Sequence, residues 1–264
     1  MADVDVIYAD LIGRCLAGER VLTRNARCRR AVCPPPAEFT TTPLVSARRT
    51  AWRTALREWE WFMGGTDQLQ GAHESVRPWW APYADSAGVI AHSYGRQLRR
   101  WGGHFDQIER LVAGLRAHPS SRRHVVTTWN AADMAHPATP LTTCHGTAIQ
   151  CFVEGGALTL FTYQRSADVI VGLPHNWVSY WAFLLWLSSR AGLRRGRLIY
   201  QIGDAHVYEA HEALARRVEG AAPRCRPIAP VLLYEPTSEE FRESDFSLGG
   251  EYAPAIDERA PMIV

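Results

Sequence analysis

The spacing of apolar positions along the chain predicts helices and strands gathered around one core. Val4, Ile7, Leu11, Ile12 and Leu16 fall near one face of a helix over residues 4–18. A second helix is predicted from Ala47 to Met63, where Ala51, Ala55, Trp59 and Phe62 recur near helical spacing and Gly64-Gly65 ends the run. Asp106 to His118 predicts a third helix, stopped by Pro119. Between 23 and 45 the chain is rich in Arg, Pro and Thr and reads as a loop. Val125 to Trp129 has strand composition, and Thr147 to Val153 and Ala157 to Tyr163 read as two strands joined by a Glu154-Gly155-Gly156 hairpin signal. The run from Trp177 to Leu187 is apolar throughout but falls short of the ~20 residues that cross a bilayer, which predicts a buried core helix. A strand over Leu198 to Ile202, a helix over 205–219 and a strand over Val231 to Tyr234 follow, and from Ser244 onward the periodic signal fades.

Neither an internal repeat nor a long linker divides the chain. Its 264 residues, 47% hydrophobic, are enough for one sizeable core, so the expectation is a single α+β domain over 1–264 with a mixed β-sheet packed by helices. A net charge of +2 argues against a dedicated nucleic-acid binder. Arg20, Arg24, Arg27, Arg29 and Arg30 nevertheless crowd one segment, which reads equally as a solvated basic loop or an anion-binding one. The six cysteines form no Cys-x-x-Cys pair and no zinc-like spacing with histidine, so a reduced, cytoplasmic protein without metal is expected. Asp3 and Asp5 occupy the place where a signal peptide would carry basic residues, and no membrane partner is expected.

The chemistry concentrates in Tyr163-Gln164-Arg165-Ser166-Ala167-Asp168, followed by Gly172-Leu173-Pro174-His175-Asn176. A planar guanidinium beside a hydroxyl suits a phosphate dianion. A carboxamide offers one donor and one acceptor, which matches the N3–H and O4 edge of uracil. Upstream, Cys144-His145 supplies a thiol, and downstream stands Gly203-Asp204-Ala205-His206-Val207-Tyr208. Taken singly, Arg165 reads as a surface ion-pair residue, Asn176 as a turn former and Cys144 as a small buried hydrophobe. Their order and spacing together point to a pyrimidine nucleotide attacked by a cysteine. A thiol-hydrolase dyad is disfavoured, because adjacent side chains rarely converge and such enzymes place the histidine far away in sequence.

This order resembles the folate-dependent thymidylate synthases. Cys-His, Gln five residues later, Tyr-Gln-Arg-Ser-x-Asp, Gly-x-Pro-x-Asn and Gly-Asp-x-His-x-Tyr-x-x-His are all met between Cys144 and His211. Glu58 in Glu-Trp-Glu-Trp-Phe, Tyr94 in Tyr-Gly-Arg-Gln, Ser121-Arg122-Arg123 ahead of Trp129-Asn130, and the tail Ala260 to Val264 extend the match. The resemblance implies that Cys144 adds to C6 of the base, turning an electron-poor C5 into a nucleophile. It implies that Arg165 reaches phosphate and thiol, and that Gln164, Ser166 and Asn176 belong to the nucleotide site, Asn176 reading uracil. His206 and Tyr208 would hold the sugar 3′-hydroxyl, and Glu58 and Tyr94 would manage proton transfers. Arg122 and Arg123 would bind phosphate from the partner subunit, implying a homodimer with shared sites. Arg24 stands near another phosphate arginine of the family, although Arg-Thr-Gly reads Arg24-Asn25-Ala26 here. Asp168, Trp80, Tyr83 and Gly172 would line the side that takes 5,10-methylenetetrahydrofolate as co-substrate, and Val264 would help close it.

Departures from the family pattern are Thr142-Thr143 for Pro-Pro, His175 for Phe, Tyr83 for a second Trp and Arg48 for Lys. They lead to the expectation of a specialised relative. After one-carbon transfer, hydride from tetrahydrofolate gives a methyl group, whereas water gives a hydroxymethyl group. Hydride delivery needs a drier site, so the polarity of His175 and Tyr83 leans the expectation toward hydroxymethylation, while Trp80 and Val264 favour reduction. Asn176 points to uracil over cytosine, for which relatives are expected to carry Asp; a cytidylate hydroxymethylase is the further alternative. Ribose and deoxyribose both remain open. A regulatory RNA-binding relative using residues 20–30 is countered by the intact Cys144, Arg165, Asn176 and Glu58.

Overall fold

Asp3 caps the first helix, α1 (Val4–Ala17), by accepting from the Asp5 amide at 3.0 Å. In the computed structural model residues 3–135, 143–222 and 230–263 are described; Thr142, Cys225 and Val264 lie outside them. The segment read as a loop instead carries strands. β1 (Glu19–Leu22) and β2 (Arg27–Val32) form a hairpin, and β3 (Ala37–Phe39) follows. Arginines made β2 look like loop. Its charges are answered across space by Glu19, Asp204 and Glu212, partners that no local pattern displays.

The helix expected from Ala47 begins later, as α2 (Trp52–Met63). Residues 45–50 are held out of the helix by contacts from afar: Asp5 accepts from the Ser46 and Ala47 amides, and the Tyr252 hydroxyl joins Val45 and Thr50. Short helices α3 (Arg77–Trp80) and α4 (Tyr94–Arg99) then precede α5 (Gln107–Ala117). Strand β4 is only Val125–Val126; β5 (Ala148–Glu154) and β6 (Ala157–Asp168) form the expected hairpin. Helix α6 (Leu173–Ala191) is longer than its apolar run, opening with Pro174 and closing at Gly192 with φ 69°. Strand β7 (Arg194–Tyr208) consumes the start of the helix expected over 205–219, leaving α7 as Glu212–Ala221. β8 (Val231–Tyr234) pairs with β9 (Phe246–Gly249), a strand inside the weakly patterned tail.

The main sheet has the order β1-β2-β7-β6-β5-β4, with β3 also on β7. Among the described residues only β6 and β7 are parallel, joined through α6, so the sheet is mixed and the domain is α+β. Leu158, Leu160 and Thr162 of β6 and Leu198, Tyr200 and Ile202 of β7 are buried on the helix-covered side of the sheet. The alternating positions Phe161, Tyr163, Ile199 and Gln201 are only partly covered, and Phe152 is exposed, so the opposite face is open. Trp177, Tyr180, Trp181, Phe183, Leu184 and Trp186 are buried around most of the α6 circumference, as befits a helix enclosed by its own domain. Among the described residues no helix is long and apolar enough to cross a membrane.

Candidate functional site

Parallel pairing of β6 with β7 sets Ser166 opposite Asp204 and Asp168 opposite His206, so the two polar motifs meet at the carboxyl ends of adjacent strands. Such ends, open between a strand and the helix that follows it, are where α/β units take ligands. Cys144 is drawn to the same place by its carbonyl, which accepts from the Arg165 amide at 2.7 Å. Gly146 turns the chain with φ 60°, and a Cβ there would lie 2.4 Å from the Tyr180 hydroxyl. Sequence reading passed over this glycine, although a Gly two residues after the thiol was its one visible signal.

Tyr94 organises the thiol. Its hydroxyl accepts from the backbone amides of Cys144 at 2.7 Å and His145 at 3.3 Å, and donates to Cys144 Sγ at 3.3 Å. The Tyr94 ring stacks on His145 at 4.1 Å. Burial pushes the Cys144 pKa up, while the Tyr94 hydrogen bond and the Arg165 charge pull it down; on balance it stays raised. His145 is no base for this thiol. Burial lowers its pKa to about 3, and its Nδ1 lies 3.0 Å from the Tyr180 hydroxyl.

Glu58 on α2 stands across from α3, and its Oε1 accepts from Trp80 Nε1 at 2.6 Å. Burial raises its pKa to about 7 against the opposing pull of that hydrogen bond, which suits a group that must both hold and release a proton near neutrality. Trp80 packs 5.4 Å from Phe62 and 5.8 Å from both Tyr83 and Tyr94, forming an aromatic wall. Trp80 is thus part of the core and at the same time the donor to Glu58. Tyr83 is half-buried, and its pKa is raised first by burial and then by Cys144, with Arg24 opposing. Arg24 itself is exposed on the turn between β1 and β2.

A second cluster fixes two carboxamides. Gln164 donates from Nε2 to the Ser166 carbonyl at 2.8 Å, which leaves its Oε1 to accept from the Tyr200 hydroxyl and from Asn176 Nδ2, the latter at 3.2 Å. Because a carbonyl can only accept, the Ser166 contact settles which way Gln164 faces, and Gln164 then settles Asn176. Tyr200, which sequence reading did not single out, completes this lock. Asp168 Oδ1 accepts from the Ile170 and Val171 amides at 2.9 and 3.0 Å, shaping the turn through Gly172 into α6. His206 and Tyr208 are buried side by side on β7, and His206 Nδ1 lies 3.2 Å from Asp204 Oδ1. The Arg165 guanidinium sits 5.3 Å from the Trp129 ring centroid.

One expectation changes. His175 Nδ1 contacts the Val171 carbonyl at 2.7 Å and its Nε2 accepts from the Ala51 amide at 3.1 Å, while burial lowers its pKa to about 4. A neutral ring with both nitrogens engaged adds no polarity to the site, so His175 does not support water capture. Within the arginine-rich segment Arg20, Arg29 and Arg30 pair with Glu209, Glu212, Glu19 and Asp204, whereas Arg24 and Arg27 are exposed. Arg122 and Arg123 are exposed beside β4 at the far edge of the sheet, and neither side chain makes a hydrogen bond or ion pair among the described residues.

A thiol, a carboxyl with a pKa near neutrality, a locked carboxamide pair and a strand-end carboxylate are thus held by the segment before β5, by α2, by α6 and by β6. The thymidylate synthase family model matches residues 25–264, from the β1–β2 turn to the last residue. The chain belongs to the thymidylate synthase family.

Proposed function

We propose that this chain transfers a one-carbon unit from 5,10-methylenetetrahydrofolate to C5 of a uridine 5′-monophosphate, ribose or deoxyribose, and ends the reaction by reductive methylation. Family membership carries the coarser part: folate-dependent one-carbon transfer to a pyrimidine nucleotide. The observation that carries the base assignment is the Gln164–Asn176 lock. With one Nδ2 hydrogen held by Gln164 Oε1, the remaining N–H and Oδ1 of Asn176 match O4 and N3–H of uracil. Turning the amide over to suit cytosine would set two carbonyl oxygens against each other. That mismatch disfavours cytidylate.

In this reading the Cys144 thiolate adds at C6, with Tyr94 and Arg165 stabilising its charge. Arg165, Arg24 and Ser166 take the phosphate, and His206 and Tyr208 take the sugar hydroxyl. Glu58 relays protons at the base. Asp168 retains Oδ2 for a donor, and with Trp80, Tyr83 and Gly172 it would receive the pterin. Arg122 and Arg123 reach phosphate from a second copy docked on the open sheet face, where Phe152 is exposed.

The dry wall of Phe62, Trp80 and Tyr94 and the fully engaged His175 support hydride over water as the final reactant. Tyr83 favours the second reading, hydroxymethylation, because its phenol adds a polar group to the aromatic wall beside Trp80. Incubating UMP, dUMP, CMP and dCMP separately with methylenetetrahydrofolate in labelled water discriminates these. Methylation requires one dihydrofolate per nucleotide and no label. An oxygen-labelled hydroxymethyl product without dihydrofolate would replace the methyl ending, and turnover of cytidylate alone would overturn the base assignment.

A further inference from the structure

His211 closes the Gly-Asp-x-His-x-Tyr-x-x-His run and has no part in the chemistry above. It ends a 3-10 turn (Glu209–His211) at the head of α7, is only 1% exposed, and neither ring nitrogen has a hydrogen-bond partner among the described residues. A buried imidazole with nothing to bond is costly, and each such case asks for a partner. One stands close by. Nδ1 lies 4.0 Å from Asp168 Oδ2, beyond hydrogen-bond range by less than the movement a side-chain rotation supplies.

Asp168 has a countable capacity. A carboxylate offers about four acceptor positions, two on each oxygen. The Ile170 and Val171 amides use both positions on Oδ1 and anchor that oxygen to backbone. Only Oδ2 is free to face a ligand, and His211 stands on its other flank. A donor on Oδ2 from His211 would fix the plane of the carboxylate and leave one lone pair aimed outward.

From this geometry, and resting on the reading of Asp168 as the pterin's acceptor, we propose that His211 is the positioning residue for that contact. When the folate's amide-type N–H donor engages Oδ2, the His211 ring closes onto the same oxygen and donates from Nδ1. His211 touches neither nucleotide nor the reacting carbons, so its influence falls on folate affinity and not on the base or the chemical step.

The test compares wild type with His211→Leu, which has no donor, and His211→Asn, whose Nδ2 falls near the place of Nδ1. Tetrahydrofolate is titrated calorimetrically in the presence of saturating uridylate, and steady-state constants are measured alongside. Loss of one charge-assisted hydrogen bond predicts that His211→Leu weakens tetrahydrofolate binding and raises the KM for methylenetetrahydrofolate by about tenfold or more, with kcat and uridylate affinity unmoved. His211→Asn should regain most of the loss. Equal folate affinity in all three proteins overturns the inference, as does a parallel loss of folate and uridylate binding in both variants. Should His211→Leu fail to fold, nitrogen-15 NMR of the labelled wild-type histidine decides: tetrahydrofolate must shift Nδ1 to the signature of a hydrogen-bonded N–H, and an unmoved resonance refutes the idea. Failure of the wild type to bind tetrahydrofolate at all would instead refute the folate-site reading itself.

Discussion

Removing the Tyr94 hydroxyl perturbs the Cys144 thiol at its best-defined contact. In Tyr94→Phe the ring, stacked on His145 and Phe62, keeps its packing and only one oxygen is lost. That oxygen accepts from two backbone amides and donates to Cys144 Sγ. Stranding two N–H groups costs roughly 1–3 kcal/mol each, so global stability should fall by about 2–6 kcal/mol. The thiolate separately loses a charge-assisted hydrogen bond of about 1.5–3 kcal/mol, equivalent to an upward pKa shift of roughly 1–2 units at 1.36 kcal/mol per unit. Because burial already holds the Cys144 pKa above its ordinary value, the thiolate fraction near pH 7 should drop about 10–100-fold, and kcat with it. The assay is the pH dependence of iodoacetamide alkylation, read at the Cys144 peptide by mass spectrometry so that exposed Cys33 does not interfere. Urea unfolding gives the stability change. A midpoint that stays where wild type has it would refute Tyr94 as the thiolate's donor, whatever happens to turnover.

Asn176→Asp should shift the ratio of kcat/KM values from uridylate toward cytidylate, since a carboxylate repels O4 but accepts from the cytosine amino group; an unmoved ratio means Asn176 does not read the base. Glu58 has a folded pKa of about 7 against an ordinary 4.5, so its unfolded form ionises first and stability should decline as pH rises through that window. Glu58→Gln should abolish up to roughly 3 kcal/mol of this decline, seen by urea unfolding at pH 5 and pH 8; identical slopes in both proteins would contradict the burial argument. Mixing Arg122→Ala protein with Cys144→Ser protein should regain activity, because one site of each mixed dimer carries neither defect. Continued inactivity with confirmed subunit exchange would count against shared sites.

The sequence by itself determined the family motifs, the candidate site residues they contain and most of the core. Side-chain type is a local property, and the motifs around Cys144, Arg165, Asn176 and His206 name their groups without reference to folding. Apolar periodicity likewise marked α1, the β5–β6 hairpin and the interior of α6, because those elements bury a face that must be written in the chain. What only the tertiary structure decided was environment. The arginines of β2 read as loop until Glu19, Asp204 and Glu212 met them across the sheet. His206 and Tyr208 were assigned to a helix by pattern, yet parallel pairing with β6 keeps them in strand. His175 looked like added polarity, but Ala51 and Val171 engage both its nitrogens. The direction of the Asn176 amide and the surroundings of His211 are set by residues far away in sequence, Gln164 and Tyr200 for the first, Asp168 for the second. Desolvation and hydrogen bonding set what a polar group can do, and both are supplied by neighbours that the chain brings together only when it folds.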